Sequence, residues 1–249
     1  MEFADKVVLI TGAGSGLGRA ASLAFAREGA SLCLLGRSLD KLQETARQIG
    51  DAGGQCVELG FDLADPQGCA DAIAGAIAAF GQLDVLCNIA ADVMFHPLSA
   101  ITAEEWHHTI ASNLSGPFFL IQAAMPYLVE SHGNIISVAS TAGFKGQAYL
   151  VPYSASKFGL VGMTLSLAME MMDSPVRINV LSPGPMRTEM TQGMTFPDFA
   201  DPKLLARYTG MRPACPPEDV VEPLLFLASD RARRVHGACW AVDGGIMAG

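Results

Sequence analysis

Tyr153 and Lys157, in the stretch "YSASK", place a phenol and an ammonium four residues apart. On a helix the two share a face, because positions i and i+4 are surface neighbours. A free phenol near pKa 10 is a poor base at neutral pH, but a cation held beside it favours the phenolate and draws that value toward the working range. The pair therefore suits acid–base work on an oxygen atom. The same two residues could also be a core tyrosine and a lysine that lays its stem along the surface and keeps its head in water. The elements around them decide which.

Apolar runs of strand length recur at residues 6–11, 31–36, 56–61, 84–88, 134–139, 177–182 and 238–242. They are rich in Val, Ile, Leu and Cys and do not alternate with polar residues, the pattern of strands buried on both faces of a parallel sheet. Longer segments with helical spacing separate them, such as "GRAASLAFAREG" and "DPQGCADAIAGAIAAFG", several ending in Gly as a helix C-terminus does. This order predicts an α/β fold, one Rossmann-like doubly wound parallel sheet of seven strands with helices on both faces. No linker or repeat interrupts it, so residues 1–249 are expected to form a single domain.

After the first strand comes "TGAGSGLG", in which Gly12, Gly16 and Gly18 give G-x-x-x-G-x-G. A glycine turn between first strand and first helix lets a pyrophosphate approach the backbone, with the helix N–H groups aimed at it. Tight strand-to-helix turns also need glycine for steric reasons alone. About 20 residues on, an acidic residue ending the second strand suits the ribose of NAD, and an Arg suits the 2′-phosphate of NADP. Here Gly36, Arg37 and Ser38 stand there, with no carboxylate before Asp40. That favours NADP(H) and leaves NAD(H) possible; Arg37 as a solvated loop residue is the alternative.

With these motifs placed, the chain resembles the short-chain dehydrogenase/reductase family over nearly its whole length. "TGAGSGLG" is similar to the family's T-G-x-x-x-G-x-G turn, and Tyr153 with Lys157 to its Y-x-x-x-K. Ser140 lies thirteen residues before Tyr153, as the family's catalytic serine does, and Asn113 in "ASNLSGPF" matches its helix asparagine. Asp62, followed by Leu63, matches the acid that meets the adenine, and "PGPMRT", Pro183–Thr188, the segment that holds the nicotinamide carboxamide. "VDGG" near the C-terminus completes the set. The family's N-N-A-G appears as Asn88, Ile89, Ala90 and Ala91, which loses one amide and one glycine beside the cofactor.

The resemblance implies an NADP(H)-dependent alcohol dehydrogenase or ketoreductase. It assigns catalysis to Asn113, Ser140, Tyr153 and Lys157. Lys157 would also hold the nicotinamide ribose, and Asn113 a water that relays the proton to solvent. Ser140, at the end of the fifth strand, would hold the substrate oxygen. The cofactor site would comprise Gly12, Gly14, Ser15, Gly16, Leu17, Gly18, Arg37, Ser38, Asp62, Leu63, Asn88, Ala90, Tyr153, Lys157, Pro183, Gly184, Met186 and Thr188. A dinucleotide-binding sensor needs only this cofactor half, so the intact catalytic set argues against one.

A net charge of −9 with no Lys/Arg cluster argues against nucleic acid or an anionic membrane as partner. Six scattered cysteines, without C-x-x-C or histidine spacing, read as free thiols and predict no metal site. The N-terminus lacks a basic start and a long apolar stretch, so a cytoplasmic protein is expected. "TAEEWHH" reads as a capping box, Thr102 with Glu105, placing His107 and His108 on a helix surface.

Residues 189–217 break the βα rhythm with three methionines, two phenylalanines, a tyrosine and five prolines. Such a segment at the carboxyl edge of the sheet is expected to be a substrate lid, or else a cover for a neighbouring subunit. Met190, Met194, Phe196 and Phe199, with Met94 and Phe95, suggest an apolar cavity for a neutral or hydrophobic alcohol or ketone. Self-association through helices, as a dimer or homotetramer, is also expected.

Overall fold

The computed structural model describes residues 1–189, 191, 197–207 and 210–248. Seven strands form one sheet: β1 (Val7–Thr11), β2 (Ser31–Gly36), β3 (Gln55–Gly60), β4 (Val85–Asn88), β5 (Asn134–Val138), β6 (Arg177–Pro183) and β7 (Cys239–Val242). Every pairing is parallel and the order is β3-β2-β1-β4-β5-β6-β7. The helices are α1 (Gly16–Arg27), α2 (Leu39–Asp51), α3 (Pro66–Phe80), α4 (Ala103–Ile110), α5 (Gly116–Ser131), α6 (Val151–Glu170), α7 (Pro202–Leu205) and α8 (Glu218–Ala228).

All five residues of β1 are buried, and the four apolar ones divide between two cores. Val8 and Ile10 pack with Phe25 of α1 and Leu224 of α8, while Val7 and Leu9 pack with Ile73 of α3 and Leu120 of α5. Helices on both faces are thus why the strands read as continuous apolar runs, with no polar face to alternate. Winding reverses between β1 and β4, so the loops leaving their carboxyl ends diverge and open a crevice there.

Local signals set the helix ends. Asp65 caps α3 by accepting from Gln67 N–H, Pro66 occupies the first turn, and Gly81 ends the helix at φ +77°. Both halves of the expected capping box form at α4: Thr102 accepts from Glu105 N–H, and Glu105 accepts from Thr102 N–H. Between α4 and α5 the chain widens into a π-helical turn, Ala111–Ser115, a feature that spacing did not signal.

The glycine turn explains its own spacing. Gly12 and Gly16 adopt φ +71° and +51°, and Gly18 lies so close to the turn that a β-carbon there would sit 2.1 Å from the Gly12 carbonyl oxygen. The first two need left-handed backbone, and the third needs the missing side chain. Gly18→Ala is therefore expected to lower unfolding stability by about 1–3 kcal/mol, the usual cost of overpacking. Urea unfolding checks this, and an unchanged midpoint would show that the turn has slack.

Candidate active site

The crevice at the β1/β4 reversal holds a cavity of about 410 Å³. Its floor and walls include Gly12, Gly14, Ser15, Gly16, Leu17 and Gly18 from the glycine turn. Arg37 and Ser38 reach it after β2, Asp62 and Leu63 after β3, and Ala90 after β4. Ser140 lines it after β5, Tyr153 and Lys157 from α6, and Pro183, Gly184, Met186 and Thr188 at the end of β6. Two expected residues stand behind this wall. Asn88 is buried in β4 with neither side-chain polar atom hydrogen-bonded, and Asn113 is buried in the π turn.

At the phosphate end, Ser15 occupies the cap position of α1 but makes no side-chain capping bond. The first-turn N–H groups are left without that acceptor, as a helix end that receives an anion requires. A β-carbon at Gly14 would approach Lys41 Cβ to 2.9 Å, so this wall, too, is shaped by a missing side chain. These features fit a dinucleotide. Thr11 Oγ accepts from the N–H groups of Ile89 (2.9 Å) and Ala90 (3.0 Å), fixing the loop after β4 despite its lost amide and glycine.

At the proposed catalytic end, Ser140 follows β5 by two residues in extended backbone, and its Oγ accepts from Ala142 N–H at 3.1 Å. Tyr153 is in the first turn of α6 and lines the cavity together with Ser140. One turn on, Lys157 Nζ lies 5.7 Å from the Tyr153 ring centroid and donates to the Val138 carbonyl at 2.8 Å. Lys157 is only 1% exposed, which excludes a surface lysine reaching for water. Burial pushes its ammonium down to about 7. Tyr153 departs from the expected direction: burial raises its pKa, with the Ser140 hydrogen bond opposing. Desolvation disfavours the charged form of each group, and it is the largest cause of both shifts.

The Asn113 side chain is committed to the protein. Its Oδ1 accepts from Asp92 N–H (2.7 Å), and its Nδ2 donates to the Asp92 carbonyl (2.8 Å) and to Ser156 Oγ (3.2 Å). Asp92 itself escaped the sequence reading although it lines the cavity. Its carboxylate accepts from Arg37 at 2.9 Å and meets His108 Nε2 at 2.8 Å. Arg37 and Asp92 are 55 positions apart, and no local spacing announces the pair.

Part of the insert lies among the described residues. Phe199 lies against Phe95 and Tyr149 at centroid distances of 6.4 and 5.6 Å, and Tyr149 Oη accepts from Asp201 N–H at 2.9 Å. Ala200 and Leu205 bury against the same aromatic cluster. Met190, Met194 and Phe196 lie outside the described residues.

A Rossmann-type sheet with a glycine turn at its switch point and a Ser–Tyr–Lys cluster at its carboxyl edge defines a dinucleotide-dependent oxidoreductase class. Residues 6–196 match the family model described as short chain dehydrogenase, and the chain belongs to that family. It is 33% identical over 248 residues to a 3-oxoacyl-[acyl-carrier-protein] reductase of Thermotoga maritima, covering 99% of this chain and 100% of that one. It is 34% identical to an L-rhamnose 1-dehydrogenase (NAD(P)(+)) of Azotobacter vinelandii, covering 98% and 97%. A short chain dehydrogenase from Mycobacterium paratuberculosis solved bound to NAD superposes with TM-score 0.91 at 29% identity, covering 100% of both chains. A structure described as a gluconate 5-dehydrogenase from Beutenbergia cavernae, with NADP at low occupancy, gives 0.89 at 36% identity, covering 100% and 99%.

The buried lysine sets a pH signature. Between about 7 and the ordinary 10.5, the unfolded chain carries this proton and the folded, coenzyme-free chain does not. The contribution of Lys157 therefore makes stability rise with pH in that window. In urea unfolding without coenzyme, the stability advantage of Lys157→Met over wild type is expected to shrink from pH 7 to pH 9. A pH-independent difference would mean that the folded protein keeps the ammonium charged throughout.

Proposed function

We propose that the protein is an NADP(H)-dependent oxidoreductase that moves hydride between nicotinamide and a neutral or hydrophobic secondary alcohol or ketone. The observation that carries this reading is that Ser140, Tyr153 and the buried Lys157 line one cavity, with Lys157 Nζ 5.7 Å from the Tyr153 ring centroid. When bound, the dinucleotide supplies or takes up hydride, and the chain's task is the proton. Tyr153 Oη would donate to the substrate oxygen in reduction and accept from it in oxidation. Ser140 Oγ would hold that oxygen, and Lys157 would stabilise the phenolate. Two of the three Lys157 N–H bonds remain after the one to Val138, enough to hold a ribose hydroxyl.

Arg37 at the cavity wall, with Gly36 where a carboxylate would otherwise stand, supports the choice of NADP(H). One observation favours NAD(H) instead: Arg37 is ion-paired with Asp92. Phe95, Tyr149 and Phe199 around the insert support an apolar substrate. Phe158 and Met169 on α6, Met172 just after it, and Phe118 on α5 are exposed, which supports a homo-oligomer, dimer or tetramer, formed through these helices. Six free cysteines accord with a cytoplasmic setting. No helix among the described residues is long and apolar enough to cross a membrane.

Tyr153→Phe is expected to leave coenzyme binding nearly intact and to reduce turnover to under about one hundredth, within the range that one acid–base group contributes. Lys157→Ala should damage both turnover and coenzyme affinity, because one ammonium serves both. Steady-state kinetics on a ketone panel with coenzyme titration checks both, and appreciable turnover by the Phe variant would refute the proton assignment.

Coenzyme choice has its own test. A charge-assisted contact from Arg37 to the 2′-phosphate would contribute about 1.5–3 kcal/mol, or one to two decades in affinity. Arg37→Ala should therefore erase a preference for NADP(H). Gly36→Asp should reverse it, and its β-carbon would meet nothing nearer than Leu42 Cδ2 at 3.3 Å. The measurement is kcat/KM with each coenzyme at fixed ionic strength, and a wild-type preference for NAD(H) would make Arg37 a bystander.

A further inference from the structure

We infer that Asp92 is a specificity-determining residue for the coenzyme, acting by holding Arg37 away from the position of the 2′-phosphate. The inference rests on the reading of Arg37 given above and adds a competitor for it. Asp92 and Arg37 line the same cavity from opposite sides of the strand-order reversal, one after β4 and the other after β2. Their ion pair, at 2.9 Å, joins the two sides. A 2′-phosphate that engages Arg37 must displace this carboxylate or lie beside it, and like charges at that distance repel.

The carboxylate is held where it can compete. Its second oxygen meets His108 Nε2 at 2.8 Å, and its own backbone N–H and carbonyl are both bonded to the buried Asn113 side chain. Two anchors in the protein therefore fix Asp92, whereas the Arg37 side chain is 57% exposed and is the partner free to move. A parallel pair, Lys41 with Glu189 at 2.8 Å, engages a further cation of the cavity wall. The chain thus lacks the carboxylate that family members choosing NAD carry at the end of β2, yet presents one to Arg37 from across the crevice. The consequence is a coenzyme preference weaker than Gly36 and Arg37 alone would set.

The test is a double-mutant cycle on dissociation constants for NADPH and NADH, followed by nucleotide fluorescence, with wild type, Asp92→Asn, Arg37→Ala and the double variant. Asp92→Ala is run alongside, because an Asn amide oxygen can still accept from Arg37. Both Asp92 variants are expected to raise the NADPH-to-NADH affinity ratio about three- to tenfold, the range for releasing a partly exposed ion pair and removing a like charge. Most of that gain should vanish when Arg37 is Ala. An unchanged or lowered ratio overturns the inference, as does a gain that persists undiminished without Arg37. If Arg37→Ala weakens NADPH binding equally in both backgrounds, the Arg37 reading stands and the role of Asp92 falls. If it weakens NADPH binding in neither, the Arg37 reading falls too.

Discussion

The arrangement at the carboxyl edge of the sheet depends on one unfavourable placement, the Lys157 amino group buried behind Tyr153 with, among the described residues, one backbone carbonyl at hydrogen-bond distance. Burying a cation with so little compensation is costly, and proteins avoid it unless the surroundings enforce it. Here the packing around α6 enforces it. Gly143, in the turn after β5, lies so close that a β-carbon would come within 2.9 Å of the Lys157 carbonyl oxygen, and a β-carbon at Gly159 would come within 2.7 Å of Leu114 Cδ2. Glycine on both sides draws α6 onto the sheet end and the π turn, and Lys157 is carried inward with it. The carbonyl that accepts its hydrogen bond belongs to Val138, the last residue of β5, so one strand end supplies both the acceptor and, two positions on, Ser140.

The opposite end of the cavity is built by a complementary rule, backbone brought close by leaving side chains out. Gly12 and Gly16 take left-handed φ values, and Gly18 packs against the turn itself. Thr188, from the segment after β6, closes over Gly16 with its methyl 3.3 Å from where a β-carbon would stand. That segment is stitched in turn to the far end of the insert through Met186 and Cys215, with Arg187 N–H donating to the Cys215 carbonyl at 2.8 Å. The cavity is therefore walled by loops whose spacing the backbone determines, and a change of one atom at Gly18 would be felt along the whole turn.

Much of this was legible in the chain because it is local. Continuous Val/Ile/Leu runs announce strands covered on both faces, and the two cores on either side of β1 are the physical reason. The capping box at Thr102 and Glu105 and the G-x-x-x-G-x-G spacing are each satisfied within eight residues. What escaped is non-local or depends on depth. The Arg37–Asp92 pair joins loops from two different strands, and the Phe95–Tyr149–Phe199 cluster joins three. The direction of the Tyr153 shift was missed for a related reason: spacing places a cation near a phenol but does not report how dry the site is. Attraction lowers a phenol's pKa and desolvation raises it, and only burial decides the winner.

Asp92 brings both ends of the crevice into one residue. Its carboxylate addresses Arg37, while its backbone clamps Asn113, whose amide also reaches Ser156 on the helix that carries Tyr153 and Lys157. Ser156 Oγ in turn donates to the Tyr153 backbone carbonyl at 2.7 Å. A continuous hydrogen-bonded path thus runs from the Arg37 guanidinium, proposed to select the coenzyme, to the backbone of the residue proposed to move the proton. Such a path conveys no signal by existing, because coupling requires an element with two arrangements. Arg37 can supply them, bonded to Asp92 or released from it, whereas Asn113 is buried with both amide hydrogens engaged and has little room to follow. The carboxylate can therefore change partners while its backbone stays fixed, which separates the choice of coenzyme from the geometry of proton transfer.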